Sequence, residues 1–559
     1  MAELRNHSSA PNGGRHPRAT EPATLFVTLG LSVVGAIIGL QILTTIGVTP
    51  NTSIIGVLIA ILLSRIPLSF FRRFRSIHRQ NLVQTNISSA TFGAANSLLV
   101  PVGIPILIGL PNLVVPMLFG ATMGMLIDLA MLYWFFDSRL FPGSAPWPIG
   151  IAAAESILAG DEAGARGAVL VGSAATGAIG SSNVFGLLTP IIGVSALPMA
   201  AFGIAFLGNP WALTMLGFGL LTRAYLPGPT GIDINEQLIP HGMMLGAGLV
   251  ALVQAVLFVV SREREKSNAD LINNVDNEGD KRSPTWEAGY TRTAAETRAA
   301  LLKGTGLYVI AAIALAVLGG LLTEMSIGQT ALWAVFAAIS CVAAEFIVGF
   351  SAMHAGWFPA FATALIFLII SLALGFPIAA AGLLVGFVVS GGPAFADAGY
   401  DLKAGWQLRG YGRDPEFERE GRKQQIIAAL LGLLAALVVV TLGHNFYFER
   451  DLFPPVVRVY AATITAGIDG SQAWKLLIWA GPGAIIQLIG GPKRQIGILF
   501  STGLLILNAA AGWAVLAAIC IRLILARGKS VEGSPLTIMA AGLIAGDALW
   551  SFGSAMFRM

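Results

Sequence analysis

The sequence predicts an all-α fold: a polytopic membrane helical bundle of about sixteen transmembrane helices in two halves, some broken or re-entrant. Three observations carry that expectation. Of 559 residues, 55% are hydrophobic and 11% charged, with mean hydropathy +0.75, more apolar surface than a water-facing globule can hide. Apolar runs of roughly 17 to 25 residues, the length that crosses a hydrocarbon core of about 30 Å as helix, recur along the whole chain. A long polar stretch, Ser261 to Lys303, separates them into two groups of similar size.

The first run, Thr24 to Ile46, is longer than the apolar region of a signal peptide and lacks a cleavage context, so it reads as the first span behind a cytoplasmic tail, residues 1–23. Further runs near 53–71, 87–110, 113–136, 166–183, 189–207, 211–226 and 238–260 complete a first membrane half, 24–260. Residues 261–303 mix Lys and Arg with Asp and Glu and read as a solvated cytoplasmic linker. The second half, 304–559, holds runs near 304–323, 328–350, 355–375, 377–391, 425–442, 473–490, 495–526 and 534–555. Interior Pro and Gly, as at Pro101 and Pro105, mark helices expected to break. The run 495–526 is one span or a hairpin of two, and Arg522, Arg527 and Lys529 change sides accordingly.

Net charge is +4, and no basic run alternates with aromatics, so a nucleic-acid partner is not indicated. The cations orient the chain instead. Arg72, Arg73, Arg75 and Arg79 form one cluster, and Lys403, Arg409, Arg413, Arg419, Arg422 and Lys423 another; both read as cytoplasmic, together with Arg5, Arg15 and Arg18. Cys341 and Cys520 each sit in an apolar run and read as packed core residues, with no thiolate metal site and no cofactor implied. Gly35/Gly39, Gly120/Gly124, Gly242/Gly246 and Gly542/Gly546 have the four-residue spacing that lets helices approach closely.

Polar groups at membrane depth are costly and therefore informative. Asp128, Glu345 and Asp547 lie in apolar surroundings and are the candidates for proton coupling. Asn81, Gln84 and Thr85 head an otherwise apolar span, where amides and hydroxyls both donate and accept hydrogen bonds; with Asn96, Glu345 and His354 they are the candidates for substrate binding. The bland alternative is that Asn81 and Gln84 cap the span at the interface. Glu345 and His354 are nine residues apart with no third ligand, so no metal site is expected. The Pro-rich segment before Glu155, Asp161 and Glu162 suits a re-entrant or interfacial element beside a cavity. Asp397 and Asp401 share a helix face, although a solvated cytoplasmic turn explains them equally well. No phosphate-binding loop or other nucleotide-motor signature is present, which leaves ion gradients as the fuel unless a separate subunit supplies it.

Four of these segments, in order, resemble the oligopeptide transporter family, which includes the yellow-stripe-like metal-chelate carriers. Asn81, Gln84, Thr85 and Ala90 match an N-x-x-Q-T motif followed by small residues, and Pro148, Gly150, Ala152 and Ala154 match P-x-G-x-A-x-A. Asp401, Leu402, Lys403, Gly405, Leu408 and Gly410 match D-L-K-x-G-x-L-x-G. The C-terminal GLIAGDAL resembles G-L-I-A-G-E-x-L with Asp547 in place of glutamate. The resemblance implies a secondary transporter, proton-coupled, carrying small peptides or peptide-like metal chelates across the cytoplasmic membrane. It does not set the oligomeric state, and a homo-oligomer is left open. The rival readings are a passive channel or membrane subunit of a multi-protein importer and, remotely, an intramembrane aspartyl protease built on Asp401 and Asp547.

Overall fold

The computed structural model describes residues 15–46, 52–162, 164–182, 198–251, 253–254, 290–467, 470–526 and 534–557. Among these the chain is helical throughout, with an isolated bridge between Phe136 and Phe141 as its extended pairing. The first group of helices comprises α1 (Pro22–Ile46), α2 (Thr52–Arg65), α3 (Ile77–Phe92), α4 (Val100–Leu107), α5 (Val114–Phe135), α6 (Pro148–Glu162), α7 (Gly164–Ser181), α8 (Met199–Leu207), α9 (Pro210–Tyr225) and α10 (Ile239–Ala251). The second comprises α11 (Ala294–Leu318), α12 (Ile327–Ala355), α13 (Ala360–Ala373), α14 (Ile378–Leu408), α15 (Pro415–Phe448), α16 (Pro455–Ala466), α17 (Gly470–Arg494), α18 (Ile496–Leu505), α19 (Ala509–Ala526) and α20 (Pro535–Phe557).

Seven stretches among the described residues are long and apolar enough to cross a membrane unaided: Pro22–Thr44, Ile77–Leu107, Pro111–Phe135, Ala294–Leu318, Ile327–Ala355, Ile378–Leu408 and Pro415–Phe448. Others expected as spans are shorter apolar helices, because the chain interrupts them at Gly and Pro. Gly208-Asn209-Pro210 separates α8 from α9, and Gly356 with Pro359 separates α12 from α13. The run 495–526 is two helices, α18 and α19, broken at Ile506–Asn508. Both lie against the same length of α9, with Gly503 beside Leu216 and Leu220 and Leu516 beside Gly217, so the chain turns back on itself. Residues 294–303, expected within the linker, are the first turns of α11, started by a capping box between Thr293 and Glu296.

Sequence explains the centre of the molecule. α14 is 31 residues long, about 46 Å at 1.5 Å per residue, and every residue from Ala379 to Leu408 is buried. A helix enclosed on all sides needs small residues where neighbours press closest. Gly386 makes room for Met117, Gly391 for Asp128, Gly399 for Trp147, and Gly405 for Gln425. α3, α5, α6, α12 and α13 pack around it. The outer helices α11 and α15 present Ile310, Leu318, Val438 and Leu442 outward, as a lipid-facing surface does. The four GxxxG pairs are packing contacts: Gly35 and Gly39 meet Thr91 of α3, Gly120 meets Leu315, Gly246 meets the Ala480 backbone, and Gly546 meets the Ala174 backbone. Cys341 is buried as expected, whereas Cys520 faces outward from α19.

The cationic clusters converge on one end of the bundle. Glu21, at the start of α1, pairs with Arg79 at 2.5 Å and Arg73 at 3.2 Å. The backbone N–H of Ala19 donates to Gln424 at 2.9 Å, and the His16 ring stacks within 5.4 Å of Phe417 and 5.3 Å of His78. The N-terminal segment, the 66–80 turn and the α14–α15 turn thus share one face.

Candidate functional site

A column of buried polar groups follows α14, and the sequence candidates fall on it in part. At mid-helix, Gly391 leaves space for the Asp128 carboxylate of α5, which accepts a hydrogen bond from Tyr308 of α11. Glu345 of α12 is close enough to feel the Asp128 charge, and neither of its oxygens has a hydrogen-bond partner among the described residues. Two acids from different helices therefore lie near each other in the interior, with no basic group paired to either among the described residues.

Two to three turns further along α14 lies a second acidic pair, Asp397 and Asp401, held by side chains of α2 and α3. Ser88 donates to Asp397 at 2.6 Å, Ser53 donates to Asp401 at 3.0 Å, and the two serine hydroxyls are 3.0 Å apart. Gln84 donates to Asp401 and accepts from Asn81 at 3.0 Å, while Thr85 accepts from Gln425 at 3.2 Å. Asn81, Gln84 and Thr85 are thus brought together as expected, inside the bundle rather than capping a span at its rim. Asn96 lies one stretch further on, buried in the π-helical segment Gly93–Leu99 that links α3 to α4. Single-turn π segments of this kind are frequent at functional sites because they re-aim side chains.

Of the two readings of Asp397 and Asp401, the helix face holds and the solvated turn does not: both are buried in a helix that continues seventeen residues past the expected end at 391. The physical reason is that the polar groups of α14 are satisfied from outside the helix. Lys403 donates to the Gly143 carbonyl at 2.9 Å, and Gln407 donates to Glu155 at 2.7 Å, which also pairs with Arg166 at 2.9 Å. Sequence reasoning missed Tyr308, Ser53 and Gln425 altogether. The usable signal was the run of Gly and Ala through 391–405, whose packing meaning is independent of the aspartates.

The column ends in an ion network. Arg409 donates two hydrogen bonds to Glu418, at 2.7 and 3.0 Å, and one to Gln425 at 2.7 Å; Arg422 reaches Glu418 at 3.2 Å and Thr291 at 2.8 Å. Asp137, in the loop after α5, accepts from Thr291 at 2.7 Å; burial raises its carboxyl above the ordinary range against the pull of Thr291 and Arg422. Arg409 and Arg422, expected among solvated cytoplasmic cations, are fully enclosed.

The remaining candidates lie elsewhere. Asp547 on α20 accepts from Ser181 at the end of α7. His354, on the last turn of α12, contacts Asn209, with Nδ1 3.3 Å from Nδ2 and the His354 carbonyl accepting from the Asn209 N–H at 2.7 Å. Beside it is a cavity of about 320 Å³ lined by Ser144, Pro146, Ile151, Phe206, Asn209 and Arg522 among others. The Pro-rich segment before α6 forms one wall of it, through Ser144, Ala145 and Pro146. The candidates for substrate binding thus stand at separate points: Asn81, Gln84 and Thr85 bonded to neighbouring side chains, Asn96 in the π-helical segment, Glu345 beside Asp128, and His354 at the end of α12. Asp401 and Asp547 keep separate partners on separate helices. Among the described residues no group of three or more His, Cys, Asp and Glu side chains is placed to hold a metal ion.

Comparison with known proteins supplies the class. No curated protein matches the chain. A family profile described as OPT oligopeptide transporter protein matches residues 181–558, more than half of the sequence, from the end of α7 through α20 and including α14 and both of its aspartates. The first two resembling segments, at Asn81 and Pro148, precede the matched range. With a match over more than half of its length, this helical, multi-pass membrane chain belongs to the oligopeptide transporter family.

Proposed function

We propose that the protein is a secondary transporter that couples inward proton movement to uptake of small peptides or peptide-like metal chelates across the cytoplasmic membrane. The observation that carries the reading is the pair of enclosed acids, Asp128 and Glu345, with Tyr308 as the hydrogen-bonding neighbour and no basic partner among the described residues. Unpaired carboxylates are not kept in an apolar interior without a use, and a site that gains and loses a proton during the cycle is such a use. Family membership supports solute transport, and the family's printed description supports oligopeptides as the solute. Asp547, on α20 against Ser181 of α7, is a secondary candidate for the same role.

The test is uptake into proteoliposomes of tri- to pentapeptides and of iron chelates, with and without an inward proton gradient. Glu345→Gln and Asp128→Asn are expected to lower gradient-driven accumulation at least tenfold while leaving substrate exchange at equal pH in place. Accumulation that ignores both the gradient and these substitutions would replace coupled transport with a channel.

A further inference from the structure

The cavity beside His354 has a chemistry that the acidic column lacks. Several helix ends meet there: α6 begins at Pro148, α9 begins at Pro210, α8 ends at Leu207 and α12 ends at Ala355. Pro148 packs against Gly356, and Gly208 against the His354 carbonyl, so these breaks are adjoining pieces of one seam. Backbone that stops being helical within an apolar bundle is tolerated where it is buried in protein or lines a polar cavity, and this seam does the latter. Two of the four ends are amino termini, the positive ends of their helix dipoles.

The charge inside the cavity agrees with that polarity. Arg522 of α19 lines it, and no Asp or Glu does. Its Nη1 donates to the carbonyls of Ala205 at 3.0 Å and Gly208 at 2.6 Å, which anchors the guanidinium at the carboxyl end of α8. No acid pairs with Arg522 among the described residues, and its Nε and Nη2 donate to no protein group there. The walls are otherwise apolar, from Pro146, Ile151, Phe206 and Leu207, with Ser144, Asn209 and Thr537 as polar points. An anchored cation with an open edge, two positive helix ends and a pocket of about 320 Å³ with both polar and apolar walls together describe a receptor for a planar anion carrying a small side chain.

We propose that this cavity binds the terminal carboxylate of a peptide-like substrate, with Arg522 as its counter-charge. The proposal rests on the reading of the protein as a carrier of such solutes and adds the group by which they are recognised. A guanidinium presents two parallel N–H groups to a carboxylate, whereas a carboxamide meets the same edge with an N–H of its own and loses both charge and one acceptor. Discrimination between an acid and its amide is therefore the direct readout.

The experiment compares trialanine with trialanine amide, as uptake into proteoliposomes and as binding to the purified protein by calorimetry. The intact protein is expected to prefer the acid at least tenfold in both. Arg522→Gln should reduce that preference to less than twofold, and Arg522→Lys, which keeps the charge and loses the paired geometry, should fall between. Because Arg522 also anchors α8, each variant is checked for an unchanged melting profile, and the acid-against-amide comparison on the unaltered protein decides the matter if a variant fails to fold. Uptake of both compounds at equal rates would overturn the site and leave peptide transport standing. Absence of uptake with tenfold tighter binding of the acid would support the site and count against the transport reading. Equal or undetectable binding of both compounds would overturn it.

Discussion

Asp401 shows how a single carboxylate is fixed by its neighbours. Its Oδ1 accepts from Gln84 and Ser53, and its Oδ2 has no partner among the described residues. Asp401→Asn retains an oxygen acceptor for both donors, so the fold should survive with little loss while proton-driven accumulation falls tenfold or more. Asp401→Leu strands both donors in the interior, at about 1–3 kcal/mol each, and should lower the melting temperature as well. A thermal melt alongside the uptake assay separates the two outcomes; equal stability of Asn and Leu variants would contradict the hydrogen-bond geometry. His16 offers a second test at this scale. Burial and the nearby Arg409 lower its pKa from 6.5 to about 3, so the docked N-terminal segment holds it neutral. Undocked, the ring returns to its ordinary value and takes up a proton as pH falls below about 6.5. The free segment then binds more protons than the docked one, and docking weakens toward acid, by roughly tenfold at pH 5.5, or about 1.4 kcal/mol. Hydrogen exchange of the Ala19 amide, which is bonded to Gln424, reports it. The His16→Phe variant should lose the pH dependence.

At the scale of elements, contact between backbones decides where helices sit. Gly546 of α20 faces the Ala174 carbonyl and the Ala178 nitrogen of α7, backbone atoms that cannot move aside. Gly546→Val should force the pair apart and cost about 1–3 kcal/mol or more, whereas Gly443→Ala on α15, where nothing lies within 4 Å of an added Cβ, should be neutral or slightly stabilising. Thermal melts of the purified variants check this, and equal melting of both would sink the packing account. These contacts were legible in advance, because spacing of four on a helix is local information. Helix existence was legible too, from apolar run length. What was not legible is where apolar runs stop being helix. The 377–391 run was expected to end at Gly391 because Asp397, Asp401 and Lys403 follow; it continues because Ser53, Ser88, Gln84 and the Gly143 carbonyl, distant in sequence, meet those groups. Likewise Asn81, Gln84 and Thr85 were recognisable as a polar cluster, but Asp401, the partner of Gln84, is more than three hundred residues away and only tertiary packing reveals it.

For the whole molecule the question is which way the column points. α14 and α12 run in parallel, since Trp333 of α12 donates to the Ala380 carbonyl at 3.0 Å while Gly392 packs on Val348. The Asp128–Glu345 level therefore lies deep, and the Arg409–Glu418–Arg422 network closes one end of α14. Arg72, Arg73 and Arg413 are exposed at that same end, where the N-terminal segment docks. The opposite end carries the turns at 374–378 and 449–454, with Arg450 and Asp451 exposed. An excess of cations marks the side that is not translocated, so the closed network should face the cytoplasm and the turn at Asp451 the exterior. With Cys520 replaced by Ser to remove the exposed thiol, a cysteine at Asp451 should react with a membrane-impermeant maleimide in intact cells, and one at Arg72 or Arg413 only after permeabilisation. The reverse pattern would invert the molecule and place the closed network at the exterior. Labelling of both sites in intact cells would mean that the two ends are not separated by a bilayer, which the 31-residue length of α14 excludes for a helix that crosses it once.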